Sequence, residues 1–187
     1  MQKDIDIIIY GATGFTGQLC VKYFKSLNTS VKWAIAGRDK EKLQQVAEDN
    51  SVDVKILIAD SDNEAELDVL TSRAKVILST TGPFHRYGSK LVASCIMNSS
   101  HYVDITGENF WVKGIIAKHH EEASAKGVRI IPSCGYDSIP SDLGVFYAAK
   151  ALNKPIKRIE SFHSWKGGAS GGTLETMFSM GDLNLGN

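Results

Sequence analysis

Short apolar runs alternate with longer amphipathic stretches six times between Ile5 and Ile131. The first run, Ile5 to Tyr10, breaks its apolar character only at Asp6 and stops at Gly11. Uninterrupted runs of this kind predict strands buried on both faces, as in a parallel sheet. Phe15, Leu19, Tyr23 and Leu27 recur every fourth residue behind it, and predict a helix with those four on its core face. Further strands are predicted at Val31 to Ala36, Val54 to Ala59, Lys75 to Ser79, Tyr102 to Ile105 and Val128 to Ile131. Helices between them carry Leu43, Val46 and Ala47; then Leu67, Val69 and Leu70; then Leu91, Val92, Cys95 and Ile96; then Val112, Ile115, Ile116 and Ala123. Six strand-then-helix units predict an α/β fold of the Rossmann type, a doubly wound parallel sheet.

The pattern changes at Lys154-Pro155. Residues 1–153 read as one domain. Residues 154–187 read as the start of a second, α+β domain that ends early: Ile156 to Trp165 alternates like a strand with one wet face, and a glycine-rich segment from Gly167 to Gly172 follows. A helix start is predicted after Thr173.

The first strand runs into Gly11-Ala12-Thr13-Gly14-Phe15-Thr16-Gly17. A strand, a glycine turn and a helix in that order predict a dinucleotide site. Gly11 suits the turn, Gly14 leaves room for the pyrophosphate, and Gly17 allows the helix to pack close to the strand. Unpaired N–H groups and the positive end of the helix dipole then face the phosphates. Thr13, Phe15 and Thr16 complete this loop.

The end of the second strand, where an NAD site places an acid on the ribose, carries Gly37-Arg38. A guanidinium suits a 2′-phosphate, so NADP is favoured over NAD; Asp39 reads as a helix N-cap. Asp60 closes the third strand, either at an adenine edge or as a turn residue. Thr80, Thr81, Gly82 and Pro83 close the fourth, on the edge where such sheets bind ligands.

The segment from Pro132 to Asp142 is dense in functional groups. Pro140 with Asp137 or Ser138 before it reads as a helix start. Tyr136 and Cys134 are candidate catalytic groups, Tyr136 as a proton donor after hydride transfer, against packing roles for both. Asp104 and Glu108 are candidates for substrate contact, with capping the alternative, and His119 reads as a core histidine. No tyrosine has a lysine four residues on, the pair by which short-chain dehydrogenases activate their phenol.

Composition narrows the partners. The 187 residues have zero formal net charge, 43% apolar and 22% charged residues, so no nucleic-acid footprint is expected. Cys20, Cys95 and Cys134 are odd in number and widely spaced, which predicts reduced thiols, no metal site and a cytoplasmic setting. Neither a signal peptide nor a membrane span is expected.

YGATGFTG at 10–17, AGR at 36–38, TGPF at 81–84, HYVDITGE at 101–108 and CGYDSIP at 134–140 together resemble the saccharopine dehydrogenase-like oxidoreductases. The trans-acting enoyl reductase branch is the nearer likeness. The resemblance implies an NADP-binding domain followed by a substrate domain with dimer contacts, in chains about twice this length. The reaction expected is hydride transfer to a conjugated C=C or a C=N bond of a small, hydrophobic or keto-type substrate. The alternating strand at 156–165, with its edges unpaired, predicts self-association through residues 156–180 or their disorder; lipid contact is left open. The alternative is a protein that binds NADPH without turnover.

Overall fold

The computed structural model describes residues 3–136, 138–152, 154–164, 166–168 and 170–181. Six strands, β1 (Ile5–Tyr10), β2 (Trp33–Gly37), β3 (Lys55–Ile58), β4 (Ala74–Ser79), β5 (His101–Asp104) and β6 (Ile130–Ile131), form one sheet. Its order is β3-β2-β1-β4-β5-β6, and every pairing is parallel. The predicted sheet is therefore present, with β6 trimmed to two residues.

Among the described residues seven helices accompany it: α1 (Phe15–Ser26), α2 (Lys40–Asp49), α3 (Glu64–Arg73), α4 (Phe84–Met97), α5 (Asn109–Ala125), α6 (Ile139–Leu152) and α7 (Gly171–Gly181). Strand side chains alternate between two cores. Ile9 and Ile35 meet Val21 of α1 and Leu43 and Val46 of α2. Ile8, Ala34 and Ile77 belong to the larger core with Leu67 and Leu70 of α3, Leu91, Val92 and Cys95 of α4, and Trp111 and Ile115 of α5.

The expected core face of α1 is wrong. Phe15, Leu19, Tyr23 and Leu27 are 69%, 48%, 62% and 44% exposed, while Gly17 and Val21 are buried and Cys20 and Phe24 pack on the core. The rotation is set by Gly17. A Cβ there would lie 2.7 Å from the Ala12 Cα and 2.9 Å from the Gly11 carbonyl carbon, and closer still to the Gly11 oxygen, so the helix touches the loop through its bare backbone. Val69 and Ile116 likewise face outward.

The strand expected over Ile156 to Trp165 is absent among the described residues, 156–164 having no regular structure and lying exposed. Its alternation has no neighbouring strand to pair with, and an isolated strand leaves its backbone groups unsatisfied. Trp165 and Asp137 lie outside the described residues. Helix α6 has an apolar sequence and no buried residue, with Leu143, Phe146, Tyr147 and Leu152 all exposed.

Candidate functional site

The sheet order reverses between β1 and β4, and crevices at such a reversal collect ligands at the carboxyl ends of the strands. Two loops flank that point. After β1 the chain turns at Gly11, whose φ of +86° is a conformation side chains rarely adopt. A Cβ at Gly11 would also strike Thr81 Oγ1 and come within 3.0 Å of Thr80 Oγ1. Gly11 N–H donates to Ala36 O at 2.9 Å and Gly14 N–H to Gly11 O at 3.0 Å, which closes the turn. After β4, Thr80 N–H donates to Tyr10 O at 2.9 Å, and the Thr80 hydroxyl donates to Tyr10 O and Gly11 O, each at 3.1 Å. The two loops are thereby tied into one wall.

Gly14 is the N-cap of α1 and makes no side-chain capping bond. The first-turn N–H groups of Phe15, Thr16 and Gly17 have no intrahelical acceptor, so they and the dipole of α1 offer an anion site. A cleft of about 370 Å³ opens there. Gly11, Thr13, Gly14, Phe15, Thr16, Arg38, Thr80, Thr81 and Gly82 line it. Gly17 lies beneath, and Pro83 is buried as the N-cap of α4.

Asp60 is not among the lining residues. It folds into a turn in which its Oδ1 accepts Asp62 N–H at 2.9 Å, and buried Ser61 lines the cleft beside it. Asp39 caps α2 by accepting Lys42 N–H at 3.0 Å, as its position suggested. Arg38 makes no ion pair among the described residues, whereas Arg73 and Arg158 do.

Sequence reasoning missed several wall residues. Tyr10, Gly37, Ser61 and Tyr87 line the cleft, and Ser170, Gly172 and Glu175 bring the start of α7 against it. Tyr87 sits one helical turn after Pro83, a spacing that could have flagged it. Nothing local ties α7 to a loop ninety positions earlier.

Buried carboxylates brace the edge. Glu108 is fully buried; it accepts Phe84 N–H and His85 N–H, each at 2.8 Å, and lies 2.7 Å from His85 Nδ1. It therefore caps α4 from outside that helix, where the dipole favours a negative charge. Asp104 is 1% exposed and accepts the Tyr102 hydroxyl at 2.8 Å and the N–H groups of Thr106 and Ser133, each at 2.9 Å. Burial pushes the Asp104 carboxyl above its ordinary range against those bonds. Its backbone oxygen accepts Cys134 N–H, so Asp104 fixes the loop after β6.

On that loop, burial and the nearby Asp104 charge raise the Cys134 thiol, which stays protonated at neutral pH. Tyr136 is 73% exposed. Neither is among the residues lining the cleft. No group of His, Cys, Asp and Glu suited to a metal occurs among the described residues.

Residues 7–131 match the family described as the saccharopine dehydrogenase NADP-binding domain. The chain belongs to that family. The cofactor of the family is NADP, and the cleft fits a dinucleotide: it opens on the uncapped N-terminus of α1, Gly14 places no side chain there, and Thr81 Oγ1 in its wall is buried without a hydrogen-bond partner. A saccharopine dehydrogenase-like oxidoreductase of Mus musculus is 38% identical over 185 residues, covering 91% of this chain and 43% of its own. A trans-acting enoyl reductase of Mycobacterium leprae is 40% identical over 148 residues, covering 78% of this chain and 35% of its own. The chain thus spans less than half the length of these relatives. Among solved structures, saccharopine dehydrogenase (L-Glu forming) from Saccharomyces cerevisiae superposes with a TM-score of 0.63 over 80% of this chain and 31% of its own, at 18% identity. That likeness speaks for the fold of the family.

Proposed function

We propose that this chain is the cofactor-binding part of an NADP-dependent oxidoreductase that delivers hydride to a C=C or C=N bond of a small, apolar molecule. The observation that carries this is the shared wall of the Gly11 turn and the Thr80–Gly82 loop, set at the reversal of the sheet. Bound NADPH would supply the hydride; the protein supplies position, electrostatics and exclusion of water.

The first-turn N–H groups of α1 hold the pyrophosphate, and Gly14 keeps the approach clear. Arg38 takes the 2′-phosphate, with Ser61 alongside. Thr80, Thr81 and Gly82 set the nicotinamide end. Cys134, held protonated, and Tyr136 are assigned to proton delivery from the loop that Asp104 fixes. Substrate walls belong to the region after residue 154, and the exposed apolar residues of α6 and α7 support self-association there, with lipid as a competing contact. Three free cysteines support a cytoplasmic protein; no described helix is long and apolar enough to cross a membrane.

A second reading, NADPH binding without turnover, is favoured by the exposure of Tyr136 outside the cleft lining. Titration with NADPH followed by addition of enones, enoyl thioesters and imines separates the two. Substrate-dependent loss of NADPH absorbance supports the reductase. Tight binding with no turnover over the whole series supports the second reading.

A further inference from the structure

The glycine-rich stretch before α7 brings a charged side chain to the cofactor cleft. Ser170 Oγ accepts Thr173 N–H at 3.3 Å and so caps α7. Gly172 and Glu175 stand three positions apart, on one face of that helix, and both line the cleft. A Cβ at Gly82 would lie 3.8 Å from Thr176 Oγ1, so α7 rests against the loop that closes β4. Glu175 is exposed, and among the described residues it makes neither an ion pair nor a side-chain hydrogen bond.

Among the described residues that line the cleft, Arg38 is the one permanent cation and Glu175 the one carboxylate. The sheet order separates them. Strand β2, which ends beside Arg38, and β4, which ends at the Thr80–Gly82 loop, flank β1 on opposite sides. The cleft is therefore electrically polar, positive on the β2 side and negative on the β4 side. A carboxylate repels the phosphates of a dinucleotide and does little for a neutral ring; it is favourable beside a cation. Of the two forms of the cofactor only NADP⁺ carries a cationic group, its nicotinamide ring.

We propose that Glu175 sets the oxidation-state preference of the cofactor site, its carboxylate favouring the cationic ring of NADP⁺ over the neutral ring of NADPH. This rests on the reading of the cleft given under the proposed function, with Arg38 at the 2′-phosphate and the Thr80–Gly82 loop at the nicotinamide. The same charge favours the positive ring that is left when hydride departs to the substrate carbon. An exposed carboxylate acts through a high dielectric, so the effect is a few-fold and is screened by salt.

The probes are NADP⁺, NADPH and adenosine 2′,5′-bisphosphate, which lacks the nicotinamide half, each titrated calorimetrically into the 187-residue chain and its Glu175→Gln variant. Glutamine keeps the shape and removes the charge, at an exposed position without partners. Glu175→Gln is expected to weaken NADP⁺ roughly two- to fivefold relative to NADPH and to leave the bisphosphate unchanged. The difference between the two proteins should shrink as salt is raised, which a purely structural role would not produce. An unchanged ratio of NADP⁺ to NADPH affinity, equal weakening of all three ligands, or a difference indifferent to salt would each overturn the proposal and leave the cofactor reading standing. Failure of both NADP⁺ and NADPH to bind would overturn the two together.

Discussion

Gly14 and Gly17 stand three residues apart in one motif, and the structure assigns them different tasks that substitution can separate. Gly14 has φ −75° and ψ 166°, which any residue adopts, and a Cβ there meets only Gly11 O at 3.4 Å. Gly14→Val therefore leaves the fold almost untouched, at a cost of about 0.5–1 kcal/mol for a poorer N-cap. Its methyl groups instead enter the cleft, where the proposed pyrophosphate site lies against the helix end. Losing even one charge-assisted hydrogen bond weakens NADPH by about 1.5–3 kcal/mol, roughly 10- to 150-fold. At Gly17 the added carbon runs into the backbone of Gly11 and Ala12, which cannot swing aside as a side chain can. Gly17→Ala should cost about 1–3 kcal/mol in overpacking, offset by up to about 1 kcal/mol of helix propensity. Because the collision is with backbone, the net loss lies toward the upper end, about 2 kcal/mol, and at roughly 2–4 °C per kcal/mol for a chain of this size the melting temperature falls by about 4–8 °C. Thermal unfolding without ligand and fluorescence titration with NADPH measure both quantities on each variant. A Gly14→Val protein that binds NADPH normally, or one that melts lower than Gly17→Ala, would refute the division of labour.

Arg38→Ala is expected to weaken NADPH by about 1.5–3 kcal/mol and NADH hardly at all; equal losses for both, by the same titration, would show that Arg38 does not read the 2′-phosphate. Glu108→Ala leaves two backbone N–H groups and His85 without their buried acceptor, so unfolding in urea should show a loss of about 2–5 kcal/mol, with Glu108→Gln recovering part of it. For Asp104 the folded carboxyl is raised, so its contribution to stability is fully present below the unfolded value and lost as pH rises through the folded one. Asp104→Asn should flatten the stability profile above about pH 4, and an unchanged slope counts against a strained carboxylate. Exposed Phe146, Tyr147, Phe162, Met177 and Phe178 predict concentration-dependent self-association by light scattering, and a monomer at high concentration refutes it.

The sheet was legible because buried parallel strands leave a direct imprint: Ile7-Ile8-Ile9 and Ala34-Ile35-Ala36 admit few other readings. The orientation of α1 was open to either of two stripes, one through Phe15 and Leu19, the other through Gly17, Val21 and Phe24. Hydrophobicity favours the first. Gly17 favours the second, since a glycine required for close packing must itself face the sheet, and that steric constraint outweighs the apolar count. The uncovered aromatic stripe then becomes surface on this chain. A similar limit explains residues 156–164, where alternation describes what a strand would need and cannot supply the neighbour that makes it one.

The cofactor wall follows local rules, and its glycines and threonines could be read from their places at strand ends. The braces behind it could not. Glu108 caps a helix that begins 24 residues earlier, and Asp104 holds the backbone of Ser133, so each depends on which strands become neighbours. The same dependence makes the chemistry harder to read than the binding. In the proposed site phosphates are held mainly by backbone N–H groups of one turn, which a motif encodes completely. Proton delivery needs a side chain from one loop to meet a substrate bounded by others. Tyr136 and Cys134 follow β6 at the same carboxyl edge of the sheet as the cleft loops, yet neither lines the cleft, and what would make either a catalyst is contact with a bound substrate.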